Sequence, residues 1–571
     1  MVSGTHTESG MPLLANDTHL GIQLPSVWYL IGLHCTEGDN PGFDVVGFTS
    51  PASFGVVVGH NGSIAWGISN GFPDVHDAYR LRINPANPLQ YEWNGQWRDM
   101  TAREETIQFG DESEPIAFIV RETHLGPVIT DNVFDASTGD VSGFDNDAPI
   151  VQRWTALDPG TVSRAVLAIN RATNWEGFRN ALRYWDVPAQ HFVYADTVGN
   201  IGYQFAGRVP IRAADHDGLS PSAGWTDATE WQGIIPFDDL PQTLNPVSGI
   251  LIAANHAAVP PSYFEALTAD LGDHVNVALS KEFDYAYRAA RVEELLAARQ
   301  LHTLESFQAI QADVKLLSAD EILPYLSDLT LVPASLNTAR ERLLSWDGMF
   351  STSSSEALLY AYFWRSLVME TFADELGANA SHLVGGDREM RAIQLLLEDP
   401  GNAWWDDRRT SNRIEDRDDI LLRSFTQGYL DAAAVCGTDV TCWAWGDVHT
   451  ATFVSNPLGS SGIGILERLV NRGPFAVAGM TDTLTNTRWT ASLDTFDVKS
   501  IPAMRMVIDL SDPSASIGIH STGQSGHPMA HGYDDFIDPW IAVTAPALLW
   551  TRAQVDASAV HQLILEPTSR K

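Results

Sequence analysis

The chain has 571 residues, with 35 Lys and Arg against 72 Asp and Glu and a formal net charge of −37. Affinity for nucleic-acid phosphates is built from Lys and Arg, and an acidic surface is repelled by anionic membranes, so a nucleic-acid groove and an anionic lipid surface are both excluded as partners. With 44% hydrophobic and only 19% charged residues, the composition is that of a folded chain with large cores.

Met1-Val-Ser-Gly-Thr-His6 lacks the basic and apolar regions of a signal peptide, and no run reaches the ~18 apolar residues of a membrane span. From Met1 to about Leu279, short β-rich runs alternate with Gly, Pro and Asn. Phe54 to Ser69 reads as a hairpin whose turn, Asn61-Gly62, supplies positive φ values, and Phe192 to Tyr203 repeats the device at Gly199-Asn200. Apolar residues at consecutive positions in both predict strands buried on two faces.

From Ser280 to about Val435 the apolar spacing becomes i, i+3, i+4, as in Tyr287 to Leu296 and Leu358 to Met369, so a mostly helical lobe is expected over residues 280–440. The mixed charge run Asp406 to Asp419 reads as a solvated helix start, and the acidic stretch Asp135 to Asp147 as an exposed insertion. After Trp443, β-type segments return at Met504 to Leu510 and Ser516 to His520. Both ends of the chain are therefore expected to build one sheet system. No repeat or low-complexity linker separates independent domains. Cys436 and Cys442 flank Gly-Thr-Asp-Val-Thr, a spacing open to a small disulfide ring or to two separate thiols.

Several chemistries are absent: there is no His-Glu-x-x-His, no Walker lysine loop, no Gly-x-Gly-x-x-Gly and no zinc spacing of cysteines. Gly67-Ile-Ser-Asn-Gly71 has a nucleophile-elbow pattern but runs into Phe72-Pro73 where an elbow would open a helix. Four other strings occur in chain order. They are Pro12-Leu-Leu-Ala-Asn-Asp-Thr-His-Leu-Gly21, Gly59-His-Asn-Gly-Ser-Ile-Ala-Trp-Gly67, Ala195-Asp-Thr-Val-Gly-Asn-Ile-Gly-Tyr203 and Gly523-Gln-Ser-Gly526. Together they resemble the penicillin acylase family of N-terminal-nucleophile hydrolases.

The resemblance implies an α+β fold, a four-layer αββα core of antiparallel sheets carrying the helical lobe as an insertion. It also implies a zymogen that cuts itself into an α chain and a larger β chain, with the Ser opening the β chain as nucleophile. This sequence resembles the β chain. Family β chains open Ser-Asn-x-Trp before a strand similar to Met1-Val2-Ser3-Gly4, so the nucleophile is expected ahead of Met1, and Ser3 falls on a later strand position. The α chain is an expected partner, and the complete precursor is expected to be periplasmic or secreted.

A free α-amino group, with a reference pKa of ~7.7–8.0, can take the proton of its own Ser hydroxyl, and the oxyanion then needs preorganised donors. By resemblance these are the Asn255 side chain and the Asn70 backbone N–H; the other readings are a strand-end cap and a turn residue. His19 matches the position beside the nucleophile, and Arg288 an Arg that orders the oxyanion Asn. Either would otherwise be a structural residue. Asp74, Asp77 and the His76 carbonyl match a calcium-binding loop, or else cap a helix; no organic cofactor is implied. The acyl pocket maps to Leu20, Val57, Val58, Ile68 and Trp154, with aliphatic Leu20 and Val58 where aromatic-acyl specialists carry Phe. The implied reaction is hydrolysis of a small N-acyl amide, such as an acyl homoserine lactone or a β-lactam side chain. The alternative is a non-catalytic binding or scaffold relative; a carbohydrate hydrolase rests on composition alone.

Overall fold

The computed structural model describes residues 1–35, 43–51, 53–108, 114–133, 142–331 and 333–565. The strands used below are β1 (Leu13–Gly21), β2 (Tyr29–His34), β3 (Asp44–Thr49), β4 (Val58–His60), β5 (Ile64–Asn70), β6 (His76–Arg80), β7 (Ile150–Trp154), β8 (Gln190–Asp196), β9 (Ile201–Ala206), β10 (Pro210–Ala213), β11 (Gln242–Leu244), β12 (Ser500–Asp509) and β13 (Ile517–His520). The helices are α1 (Val162–Ile169), α2 (Trp175–Leu182), α3 (Pro261–Leu271), α4 (Tyr287–Ala297), α5 (Leu304–Gln311), α6 (Leu317–Ile322), α7 (Ala334–Leu344), α8 (Ser355–Leu376), α9 (Asp387–Leu397) and α10 (Arg417–Cys436).

Two antiparallel sheets face each other. One has seven strands in the order β11-β9-β8-β5-β4-β3-β2, the other three in the order β1-β12-β13. β1 lies across β5 and β8. Helices α1 and α2 cover the far face of the large sheet, where Phe178 meets Tyr194 at 5.1 Å between ring centroids. α5 covers the small sheet, with Phe307 packed among Val2, Leu13 and Val507. This is the expected αββα stack, with strands from both ends of the chain in one core. Because inner strands are covered twice, β9 is buried along its whole length and β12 along all but its last residue, which is why their sequences do not alternate.

The first hairpin is shorter than expected, its strands starting at Val58 and Ile64. In its turn only Gly62 takes the left-handed region, at φ 79°. Asn61 instead uses its side-chain oxygen to accept from the N–H groups of Ser63 and Ile64, at 3.1 and 2.9 Å, a local bond typical of Asn in turns.

The stretch 280–440 forms α4 to α10; α6 to α10 surround a core of their own, in which α8 and α10 pack side by side, while α5 and the C-terminal half of α4 pack against the small sheet. Its charge run departs from the solvated reading. Asp416 caps α10 by accepting from Asp419 N at 3.0 Å, but Asp407 and Glu415 are buried and receive the guanidinium of Arg423 at 2.8 and 3.1 Å. Of the acidic stretch, residues 135–141 lie outside those described. The remainder is anchored: Arg121, fully buried, donates to Asp131, to Asn146 and to the Asp145 carbonyl. Cys436 and Cys442 are joined in a disulfide with Cα atoms 6.0 Å apart. Among the described residues, no helix is long and apolar enough to cross a membrane.

His191, on β8 and buried in the large sheet, has its Nδ1 2.6 Å from the Tyr203 hydroxyl. Burial pushes its pKa down to about 3, so the fold binds its proton later than the unfolded chain, whose His titrates near ~6.5. The stability it contributes is complete above that value and lost as pH falls toward the folded pKa. The stability gap between wild type and His191→Gln should therefore narrow by up to ~3 kcal/mol between pH 7 and pH 4. Denaturant unfolding of both proteins across that range measures it, and a gap constant with pH would show that His191 is not held neutral.

Candidate functional site

β5 ends at Asn70, β1 crosses it, and the extended segment Ile250 to Asn255 passes alongside. The side-chain amide of Asn16 on β1 donates to the Ile68 carbonyl at 2.8 Å and accepts from Ile68 N at 3.2 Å. Between these pieces and the start of α4 lies a cavity of about 290 Å³. Its apolar wall includes Leu20, Ile68, Leu251, Val292, Phe307 and Leu484, and its polar wall includes Asp17, His19, Ser69, Asn70, Asn255 and Arg288.

Asn255 has φ 67°, a left-handed conformation that non-glycine residues adopt rarely and often at functional positions. Two contacts hold it there. Its Oδ1 accepts from Arg288 Nη2 at 2.6 Å, and its carbonyl accepts from Asp284 N at 3.2 Å. Arg288 is buried near the start of α4; it also donates to Asp284 and has Asp482 at 3.9 Å. With Oδ1 committed to a guanidinium, Nδ2 must point the other way. It donates to the Asn70 carbonyl at 2.9 Å and to Ser69 Oγ at 3.3 Å. This is an amide donor fixed by a charge-assisted bond, the kind of preorganised group that stabilises an oxyanion.

On the same wall, His19 Nε2 lies 3.5 Å from Asp17 Oδ1, and Asp17 Oδ2 lies 3.6 Å from Arg505 Nε, directly across the β1–β12 pair. His19 Nε2, Asp17 Oδ1 and Arg505 Nε are buried without a hydrogen-bond partner among the described residues. Burial, with the positive charges of Arg288 and Arg505, holds His19 well below its ordinary pKa, so it is neutral at pH 7. Burial lifts Asp17 to about 7 despite the opposing pull of Arg505. The β1–β12 register slips between Thr18 and His19, a bulge of the sort that re-aims side chains beside sites.

Asn255, Asn70, His19 and Arg288 are thus brought together, across as many as 269 residues of sequence between His19 and Arg288. Of the residues mapped to the acyl pocket, Leu20 and Ile68 line the cavity. Val57, Val58 and Trp154 do not. Val57 and Val58 are buried in the core on the β4 side of the large sheet, while Trp154 closes β7 opposite His76 in a separate sheet. Ser69, the serine of the elbow-like string, sits inside β5 and not on a strand-to-helix turn.

The calcium expectation does not fit the arrangement. Asp74 Oδ1 and both oxygens of Asp77 accept from the guanidinium of Arg212, while His76, whose carbonyl is the third expected ligand, opens β6 opposite Trp154. Among the described residues, no group of three or more His, Cys, Asp or Glu side chains is arranged to hold a metal ion. Sequence reasoning also missed Asp17, Arg505, Asp284 and Asp482. Asp17 was findable, since the two-residue period of a strand puts it on the face of His19.

The penicillin amidase family profile matches residues 1–557. The acyl-homoserine lactone acylase QuiP of Pseudomonas aeruginosa is 29% identical over 583 residues, covering 95% of this chain and 65% of that protein. The penicillin acylase 2 proenzyme of Pseudomonas sp. strain SE83 is 26% identical over 594 residues, covering 99% of this chain and 68% of that protein. The chain therefore spans about 65% of the length of the first of these curated relatives. In fold it matches the thermostable penicillin G acylase of Alcaligenes faecalis with a TM-score of 0.73 at 21% identity, over 100% of this chain and 99% of that one. With a family match that runs through nearly all of its residues, the chain belongs to the penicillin amidase family.

Proposed function

We propose that the chain is the β-chain portion of a hydrolase of small N-acyl amides, with an acyl homoserine lactone or a β-lactam side chain as the substrate class. The observation that carries the reading is the Asn255 amide, held by Arg288 on the wall of a cavity that Asn70 and His19 also line. The relatives named for acylase activity point to the same substrates. An aliphatic acyl chain suits the Leu20, Ile68 and Leu251 wall, since burying each CH₂ is worth ~0.8 kcal/mol.

In this reading the nucleophile comes from a segment ahead of Met1. Val2 pairs antiparallel with Leu13, and past that bridge the outer edge of β1 pairs with no strand among the described residues. Continuing the register along that edge, the residue four places before Met1 falls opposite Thr18 and next to His19. A Ser-Asn-x-Trp segment would put its Ser there. The Ser hydroxyl attacks the amide carbon while its own α-amine takes the hydroxyl proton; the Asn255 Nδ2 hydrogens turn from the Asn70 carbonyl and Ser69 to the oxyanion. The amine then returns the proton to the leaving nitrogen, and water releases the acid. Neutral His19 holds the amine or the hydroxyl in place. The Cys436–Cys442 disulfide suits the oxidising compartment of a periplasmic or secreted precursor.

Two experiments test this. A precursor extended to include an α segment and Ser-Asn-x-Trp should cleave itself and hydrolyse N-acyl homoserine lactones or chromogenic acyl amides, whereas residues 1–571 alone should not. A folded, extended precursor inert to every acyl amide would sink the hydrolase reading in favour of a scaffold. In the active form, Asn255→Gly, which tolerates the left-handed backbone, should lower kcat about 10²- to 10³-fold with little change in KM. Unchanged kcat would remove Asn255 from the oxyanion site.

A further inference from the structure

Asp74, in the loop between β5 and β6, and Asp77, in β6, lie 135 or more residues away from the cation they meet. Arg212, on β10 and 2% exposed, donates from Nε to Asp77 Oδ2 at 2.9 Å and from Nη2 to Asp77 Oδ1 at 3.0 Å, a two-pronged grip. The same Nη2 reaches Asp74 Oδ1 at 2.9 Å and the Asp74 carbonyl at 3.2 Å. The indole N–H of Trp231 also donates to Asp77 Oδ2, and His216 Nε2 stands 3.9 Å from that oxygen. Over the cluster sits Gly218, at φ 76°, where a Cβ would come within 2.9 Å of Asp77 Oδ1, 3.0 Å of Arg212 Nε and 3.0 Å of Asp74 Oδ2.

We infer that the guanidinium of Arg212 stands in for a divalent cation at this loop, so that the Asp74–Asp77 corner is organised without metal. The argument is one of ligand supply and space. Calcium takes six to eight oxygens at ~2.3–2.6 Å; here three carboxylate oxygens and one carbonyl already hold N–H donors, which leaves Asp74 Oδ2 as the one oxygen of the two carboxylates that Arg212 does not hold. A planar, permanently charged fork satisfies two carboxylates at hydrogen-bond distances of ~2.7–2.9 Å, and Gly218 closes the space that a hydrated ion would need. The device also locks three separated pieces together, since Arg212 belongs to β10, Asp77 to β6, and Gly218 to the loop after β10. This inference does not rest on the hydrolase reading, because it concerns only the folded state of the chain.

The test is calorimetric and needs no activity. The thermal midpoint of the wild-type chain should be the same after exhaustive dialysis against EDTA and in millimolar calcium, and titration calorimetry should give no stoichiometric calcium binding at the loop. Arg212→Ala, which leaves two carboxylates without a counter-charge, should melt lower than wild type and recover part of that loss when calcium or free guanidinium is added. Arg212→Lys, keeping the charge but not the fork, should fall between the two. A wild-type midpoint that drops in EDTA and returns with calcium would overturn the inference, and this arm decides the matter even if Arg212→Ala does not fold.

Discussion

The two hydrogen bonds between the Asn16 amide and the backbone of Ile68 tie the small sheet to the large one, and the site follows from them. Apolar packing between two sheets is strong but has no direction, so it sets their separation better than their alignment. A side-chain amide that bonds both the N–H and the C=O of one residue admits a single alignment. Asn70 lies two residues from Ile68 along β5, and His19 lies three from Asn16 along β1. The clip that joins Asn16 to Ile68 therefore also sets His19 against Asn70. Asn16 is 9% exposed, so losing one of its partners would leave a buried polar group unmet at ~1–3 kcal/mol. The alignment is held by that penalty as much as by the bonds themselves.

A second constraint is the scarcity of positive charge. With 35 cationic residues against 72 acidic ones, the chain cannot neutralise its acids in general, and it places arginines where acids are buried. Arg121, Arg212, Arg288 and Arg505 are all less than a tenth exposed, and each faces a carboxylate. The unpaired surplus of acid is left to water, where repulsion is screened and cheap. Arginine suits the inner positions because it stays charged and its donors form a rigid fork. At Arg288 the fork does more than neutralise: one branch fixes Asn255 while the acids Asp284 and Asp482 fix the fork.

What the sequence made legible was whatever is local. Asn61-Gly62 marks a turn because its constraint is contained in two residues, and the apolar spacing from Tyr287 to Leu296 marks a helix because 3.6-residue periodicity needs no partner. The family resemblance pointed to Asn255, Asn70, His19 and Arg288, which line one cavity. The remainder depended on pairings between distant segments. Nothing near Asp74 and Asp77 announces Arg212, and nothing near Asp17 announces Arg505 at the other end of the chain. Two carboxylates bracketing a turn look the same from sequence whether a metal or a guanidinium fills the space between them. Val58 was misplaced for a similar reason: it is one strand away from the cavity, and strand order is a property of the whole sheet.

The same long-range view accounts for the unmet groups around the cavity. Asp17 Oδ1, His19 Nε2, Asp482 Oδ2 and Arg505 Nε are buried and lack hydrogen-bond partners among the described residues, and past the Val2–Leu13 bridge the outer edge of β1, which runs beside them, pairs with no strand among the described residues. Unmet atoms also occur elsewhere in the fold, as at His60 and Tyr360 Oη, but here charged groups of both signs gather beside one cavity, where their desolvation is costly unless a ligand meets them. Under the proposed reading the cluster is the complement of what arrives: a strand to pair the free edge of β1, an amine to meet His19 and Asp17, and an acyl carbonyl whose developing oxyanion draws the Asn255 amide hydrogens away from their resting acceptors. Burial that is unfavourable for the cavity by itself then becomes the source of its selectivity, because a ligand that cannot meet those atoms leaves their desolvation uncompensated.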